Sequence, residues 1–243
     1  MNKKVLILTG YTEVAVEDMR GHNFEDNTSL FKDVFNFCLT SKERYAKKHG
    51  YDFMCVRSFG EDPDGVLNSK DSGRMRAVHA FRMAEFYDYV FWVDGDSIIT
   101  NDSYKVEDII DADSKDIVYY VSYDWPAFSK TADQFSNGNY IVARNKNTQN
   151  FYKTYQDIER SGNFPNEQEV LNRMRRQSEY SNLFKIVDNK YLNTPSNHEG
   201  ILKMLQRHDP ICEWSEDSLM CHLTGIKNEY RLYILDKYFS EYK

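Results

Sequence analysis

The stretch Tyr89-Val90-Phe91-Trp92-Val93-Asp94-Gly95-Asp96 decides how this chain is read. Up to Val93 it is apolar, with the β-branched and aromatic side chains of a buried strand. It then ends in two carboxylates separated by one glycine. Carboxylates at the mouth of a buried strand are costly unless a cation or another partner compensates them. Open α/β sheets take their ligands at the carboxyl ends of strands. If the strand persists, Asp94 and Asp96 point to one face, and Gly95 lets backbone or substrate approach closely. A hard divalent ion with oxygen ligands, Mn2+ or Mg2+, is the expected occupant, and a diphosphate its expected companion.

Outward from this stretch, strands and helices alternate. Lys4 to Thr9 reads as the first strand, ended by Gly10, and Glu13 to Asn27 as a surface loop. Ser29 caps a helix to about Lys48, with Phe31, Val34, Phe35, Cys38 and Tyr45 at helical spacing and Gly50 as its stop. Tyr51 to Val56 is the second strand, Gly60 to Gly73 a loop, and Ser72 to about Tyr87 a helix leading into the Asp94 strand. The second half is less regular. Helices are expected over Val106 to Ile110, Thr148 to Glu159, Glu167 to about Gln177 and Arg231 to Tyr238. Strands are expected over Ile117 to Val121, Asn139 to Ala143 and Phe184 to Val187. This order predicts one α/β domain over residues 1–243. About 1–100 would form a nucleotide-binding half and about 101–243 an acceptor-binding half on the same sheet.

Composition narrows the function. Hydrophobic residues make up 41% and charged residues 28%, the balance of a soluble globular protein. The net charge of -7 argues against a nucleic-acid partner, which needs a basic face. No apolar stretch approaches the ~20 residues of a membrane span. Val5 to Leu8 is too short for a signal-peptide core of ~7–15 residues. The expectation is a cytoplasmic protein without anchor or signal peptide. Cys38, Cys55, Cys212 and Cys221 form no CxxC pair and no zinc spacing. They read as thiols of a reducing compartment, with a Cys212–Cys221 disulfide as the rival.

The Asp94 segment resembles the Asp-x-Asp metal motif of GT-A-fold glycosyltransferases, in particular the family of α-galactosyl-, α-mannosyl- and xyloglucan xylosyltransferases. A second stretch, His222-Leu223-Thr224-Gly225-Ile226-Lys227, is similar to the C-terminal His-x-x-Gly-x-x-Lys motif of that family and of the glycogenin-like one. The resemblance implies His222 as third metal ligand beside Asp94 and Asp96, with Gly225 and Lys227 meeting the diphosphate. An imidazole favours Mn2+ more than Mg2+ requires. A third stretch, Phe135-Ser136-Asn137-Gly138-Asn139-Tyr140, resembles the strand whose asparagine and glycine face the donor sugar, with Asn137 and Asn139 both open as that asparagine. Asn166-Glu167-Gln168-Glu169 is placed like the acid–amide pair that opens a helix in these families. A capping segment is the competing reading.

The resemblance therefore implies an α/β fold, the GT-A (Rossmann-like) mixed, mainly parallel sheet flanked by helices. It implies a metal-dependent transferase moving a sugar from a nucleoside diphosphate sugar, with UDP favoured, to a hydroxyl on a glycan or glycoconjugate, with retention. The expected catalytic residues are Glu167, Gln168 and Asn137. The expected donor-binding residues are Thr9, Gly10, Tyr11, Arg74, Asp94, Gly95, Gly225 and Lys227, with Arg76 as the alternative to Arg74 and Tyr11 placed to stack on a base. Asp124 and Trp125 are candidates to line a sugar. A nucleotidyltransferase and a non-catalytic carbohydrate-binding protein are the other classes weighed. The first lacks the Gly-rich or strongly basic phosphate loop it needs near the N-terminus. Nucleotide-sugar turnover with and without Mn2+ separates all three.

Overall fold

A computed structural model describes residues 3–11, 28–57, 72–110, 114–124, 133–161, 164, 166–198 and 213–242. The loop expectations for Glu13 to Asn27 and for most of Gly60 to Gly73 lie outside these residues, as do Trp125 and Cys212. Strands β1 (Val5–Gly10), β2 (Asp52–Val56), β3 (Tyr89–Trp92), β5 (Tyr119–Val121), β6 (Tyr140–Ala143) and β7 (Phe184–Ile186) form one sheet in the order β2-β1-β3-β6-β5-β7. β1 is parallel to both β2 and β3, and β5 to β7. Only β6 runs against its two neighbours. The later strands thus extend the sheet begun by the first three.

Helices cover both faces. They are α1 (Thr28–His49), α2 (Ser72–Met83), α3 (Val106–Ile109), α4 (Thr148–Ser161), α5 (Glu167–Arg176), α6 (Asn189–Leu192) and α7 (Asn228–Tyr238). Burial on both faces explains why β1 and β3 read as unbroken hydrophobic runs rather than alternating ones. Successive residues still part company. Leu6, Leu8, Val90 and Trp92 join Phe81 of α2, Phe151 and Tyr155 of α4, and Val170 and Leu171 of α5. Val5, Ile7, Phe91 and Val93 join Tyr45 and Ala46 of α1 and Val106 and Ile109 of α3 on the opposite side.

The strands and helices expected from the sequence are present, with ends moved by a few residues. The short helix α6 and two strands were not foreseen. β4 (Ser97–Ile99) and β8 (Met220–His222) pair antiparallel as a separate two-stranded sheet, with Ser97 opposite His222 and Ile98 opposite Cys221. Each strand is shorter than the window in which periodicity can be recognised. They pack with Val34 and Cys38 of α1 and Ile234 and Leu235 of α7 in a third apolar cluster. Cys38 and Cys221 are buried free thiols and Cys55 is a half-buried one. Burial pushes the Cys38 thiol up to about 12, so it is inert at neutral pH.

Candidate active site at the mouth of the third strand

β3 ends at Trp92, before the first aspartate. Asp94 and Asp96 therefore do not converge by strand alternation, as the sequence pattern predicts. A turn brings them together, closed by the Ser97 amide donating to the Asp94 carbonyl at 3.1 Å. The Asp94 amide donates to Oδ1 of Asn139 at 2.9 Å, so the start of β6 holds the turn from one side.

Lys42 holds it from below. This α1 lysine is buried, and its ammonium donates to Thr9 Oγ1 at 3.2 Å, the Asp94 carbonyl at 2.7 Å and the Gly95 carbonyl at 3.4 Å. Three donors thus meet three acceptors. Burial pushes its pKa below that of an ordinary lysine, against the opposing pull of Cys38, Asp94 and Asp96. The sequence carried a signal for it: Lys42 falls on the helical face marked by Phe35, Cys38 and Tyr45, where a solvated lysine is out of place. Lys42→Met should destabilise the fold by about 2–3 kcal/mol, because it strands buried carbonyls. Guanidinium unfolding checks this, and an unchanged midpoint would remove Lys42 from the support of the turn.

The β4–β8 pair delivers the third ligand candidate. Its register sets His222 opposite Ser97, and the Leu223 amide donates to the Asp96 carbonyl at 3.0 Å. The His222 backbone is clamped on its other side by Thr194 and Ser196. Nε2 of His222 lies 3.3 Å from Asp96 Oδ1 and 3.9 Å from Asp94 Oδ2. Nδ1 faces Asn193 Oδ1 at 3.3 Å, an outer partner of the kind that orients a ligating imidazole. Ligand atoms of Asp94, Asp96 and His222 all lie within 4.8 Å of one another. Two carboxylates and an imidazole suit Mn2+ or another divalent first-row ion.

Gly138 makes this closeness possible. A Cβ there would sit 2.5 Å from Cε1 of His222. Gly138 thus leaves the space that the imidazole occupies. Gly225 differs: its φ of 70° lies in the left-handed region that favours glycine. It shapes the turn from β8 into α7, at whose start Lys227 is exposed. One residue separates Gly225 from Lys227, so this turn is one position shorter than the His-x-x-Gly-x-x-Lys pattern it resembles.

A polar chain leads from Asp94 into the second half. Arg76 donates to Asp94 Oδ1 at 2.8 Å and to Glu167 Oε1 at 2.7 Å. Asn137 Nδ2 donates to the same Glu167 oxygen at 3.2 Å, and its Oδ1 accepts from the Tyr119 hydroxyl. The Asn137 amide donates to Gln168 Oε1 at 3.0 Å, and Gln168 Nε2 donates to Asp124 Oδ2 at 3.2 Å. Glu167, Gln168, Asn137 and Asp124 thus sit together beside the acidic cluster. Asn166 caps α5, accepting from the Glu169 amide at 3.0 Å, so the capping reading of this segment holds.

Two expectations need correction in place. Arg74 does not face the aspartates. It pairs with Glu159 at 2.9 Å and donates to the Phe164 carbonyl, and Arg76, two residues along α2, takes the position beside Asp94. The two side chains lie some 200° apart on the helix, so only one can reach the strand mouth. Tyr11 is buried with its ring packed on Phe35 at 4.3 Å, so no open face is presented for a base. Thr9 is committed to Lys42, and the Gly10 carbonyl lies under Gly95.

Arg231 of α7 carried no sequence signal. It lies 2.8 Å from Asp96 Oδ2, and its Nε and NH1 donate to the Leu223 carbonyl and Asn228 Oδ1, both at 2.9 Å. Burial raises the pKa of Asp96, but Arg231 and then His222 outweigh it and hold the carboxyl well below the usual range. Arg76 stays charged, because Asp94 and Glu167 more than offset its burial.

With the geometry in hand, the chain can be set beside known proteins. A glycosyltransferase involved in the glycosylation of the major capsid of PBCV-1 shares the fold, with a TM-score of 0.61 at 16% identity, covering 96% of this chain and 98% of that one. LgtC, a galactosyltransferase solved with donor and acceptor sugar analogues, gives 0.50 at 12% identity, covering 90% and 87%. GlyE of Streptococcus pneumoniae gives 0.52 at 12%, covering 99% of this chain and 64% of that one. No curated protein matches the chain in sequence. The sheet and its flanking helices are the GT-A architecture of these neighbours. The model of the galactosyl transferase GMA12/MNN10 family matches residues 2–232, from the first strand to the C-terminal helix that carries Arg231, and the chain belongs to that family as a glycosyltransferase.

Proposed function

We propose that this glycosyltransferase moves a sugar from a nucleoside diphosphate sugar, a UDP-sugar by preference, to a hydroxyl on a glycan or glycoconjugate, with retention of configuration. The observation that carries the reading is the Asp94–Asp96–His222 group, gathered within 4.8 Å at the carboxyl end of a central strand. The similar LgtC binds donor and acceptor sugar analogues, which supports the substrate class. A divalent ion bound there supplies Lewis-acid stabilisation of the departing diphosphate.

The chain's own residues do the rest. Asp94 and Asp96 offer oxygen ligands, and His222 offers nitrogen. Lys227 and the Gly225 turn meet phosphate. Arg76 orients Asp94 and Glu167 against each other. Glu167, Gln168 and Asn137 face the reacting sugar, with their rotamers fixed by the hydrogen-bond chain that ends on Asp124. A site built on such locked side chains positions a substrate closely. No helix among the described residues is long and apolar enough to cross a membrane.

Turnover of UDP-sugars with Mn2+ present and after chelation tests this reading. Slow release of UDP only with Mn2+ is the expected result. Pyrophosphate release from a nucleoside triphosphate would point to a nucleotidyltransferase. Turnover of neither would point to a carbohydrate-binding protein. Lys227→Ala should weaken binding of UDP by roughly ten- to a hundred-fold and leave uridine unaffected, since a charge-assisted contact is worth about 1.5–3 kcal/mol. Calorimetry with both ligands checks it, and equal UDP affinity would remove Lys227 from the phosphate site.

A further inference from the structure

Asp96 has a charged partner before any cation arrives. Its Oδ2 is 2.8 Å from the Arg231 guanidinium, and both side chains are largely enclosed, at 14% and 11% exposure for Arg231 and Asp96. Its Oδ1 faces the imidazole of His222. A cation held by Asp94, Asp96 and His222 would therefore share one carboxylate with a fixed positive charge. Two cations on one carboxylate repel, and an enclosed site screens that repulsion poorly. A diphosphate changes the balance, because its negative charge compensates both.

Arg231 also links this ligand to the anion-facing turn. Its Nε and NH1 hold the Leu223 carbonyl and the Asn228 side chain, the two ends of the turn that carries Gly225 and Lys227. One planar guanidinium thus bridges a metal-ligand candidate and the phosphate turn. A lysine, whose donors all sit on one nitrogen, lacks the planar fork that reaches these three acceptors from separate nitrogens.

We propose that Arg231 is a positioning residue that makes cation loading depend on the nucleoside diphosphate: it opposes a lone divalent ion at Asp96 and holds the Leu223–Asn228 turn ready for the anion. The proposal rests on the metal-dependent reading above. It predicts shifts of opposite sign. Removing the guanidinium charge should tighten binding of Mn2+ alone and weaken binding of UDP alone. A purely structural role would weaken both.

The test uses the full chain as wild type, Arg231→Gln and Arg231→Lys. Free Mn2+ is read by electron paramagnetic resonance, and UDP binding by calorimetry. In wild type, UDP should raise Mn2+ affinity by about ten-fold or more. In Arg231→Gln, Mn2+ alone should bind roughly ten-fold tighter, UDP alone more weakly, and the mutual enhancement should shrink. Mn2+ affinity unchanged or reduced in a folded Arg231→Gln would overturn the proposal. So would wild type binding Mn2+ equally with and without UDP. If Arg231→Gln does not fold, Arg231→Lys decides. Its lost fork should narrow the gap between Mn2+ affinity with and without UDP, and a gap equal to that of wild type overturns the idea. Failure of wild type to bind Mn2+ and UDP together would instead sink the metal-dependent reading itself, so the two failures are distinguishable.

Discussion

Asp94→Asn should lower Mn2+-dependent turnover of the donor by about 100-fold or more while leaving the protein folded. The ion's stabilisation of diphosphate charge is worth several kcal/mol, and each 1.36 kcal/mol is ten-fold in rate. On the proposed reading, Asp94 would offer that ion an oxygen from a turn held by Asn139 and Lys42, neither of which uses the Asp94 carboxylate. The substitution keeps the shape of the side chain, and Arg76 retains Glu167 as a partner. Asp96→Asn should lose turnover as severely but also cost stability, on the order of 1–3 kcal/mol. It removes the charged partner of Arg231 in an enclosed pair, and losing one partner of a fully buried pair costs about 3–5 kcal/mol. Steady-state turnover with a Mn2+ titration, beside thermal melts, measures both. Near-wild-type turnover in either variant at every Mn2+ concentration would show that the carboxylates do not hold the ion.

The difference between the two aspartates shows where the sequence was readable. The order of strands and helices was legible because β1 and β3 are apolar runs, α1 and α5 have helical periodicity, and Asn166 caps α5. The acid pair and His222 were legible as separate motifs. Their meeting was implied by the family resemblance alone and by no local pattern, because it depends on β4 and β8, three residues each, whose pairing is a long-range contact. Arg74 and Arg76 look alike in sequence. Only the helical rotation set by packing α2 on the sheet decides which one reaches Asp94. Tyr11 follows β1, where a base could stack, but Phe35 of α1 packs on its ring. Arg231 was hidden for another reason: an arginine in the first turn of an exposed-looking helix is ordinary, and its partner is remote in the chain.

Gly138→Ala should abolish the coupling of the two halves of the site with the addition of a single methyl group. The new Cβ would stand 2.5 Å from Cε1, 3.3 Å from Nε2 and 3.4 Å from Nδ1 of His222, so the imidazole or β6 must move. The imidazole has little room. It is buried, its backbone is paired to Ser97 on one side and to Thr194 and Ser196 on the other, and Asn193 faces Nδ1. Movement of β6 is no easier, because Asn139 at its start anchors the Asp94 amide. Overpacking of this kind costs about 1–3 kcal/mol. The functional cost should be larger, because Nε2 displaced from Asp94 and Asp96 no longer completes the ligand set. Turnover should fall by about 100-fold, with Mn2+ affinity in the presence of UDP falling in step. Gly95→Ala is the informative contrast. Its Cβ would meet the Phe35 and Phe31 rings at 3.2 and 3.3 Å, a milder crowding that side chains can relieve. If Gly138→Ala bound Mn2+ and turned over donor like wild type, His222 would be dispensable to the ion, and the reason for a glycine at this position would have to lie elsewhere.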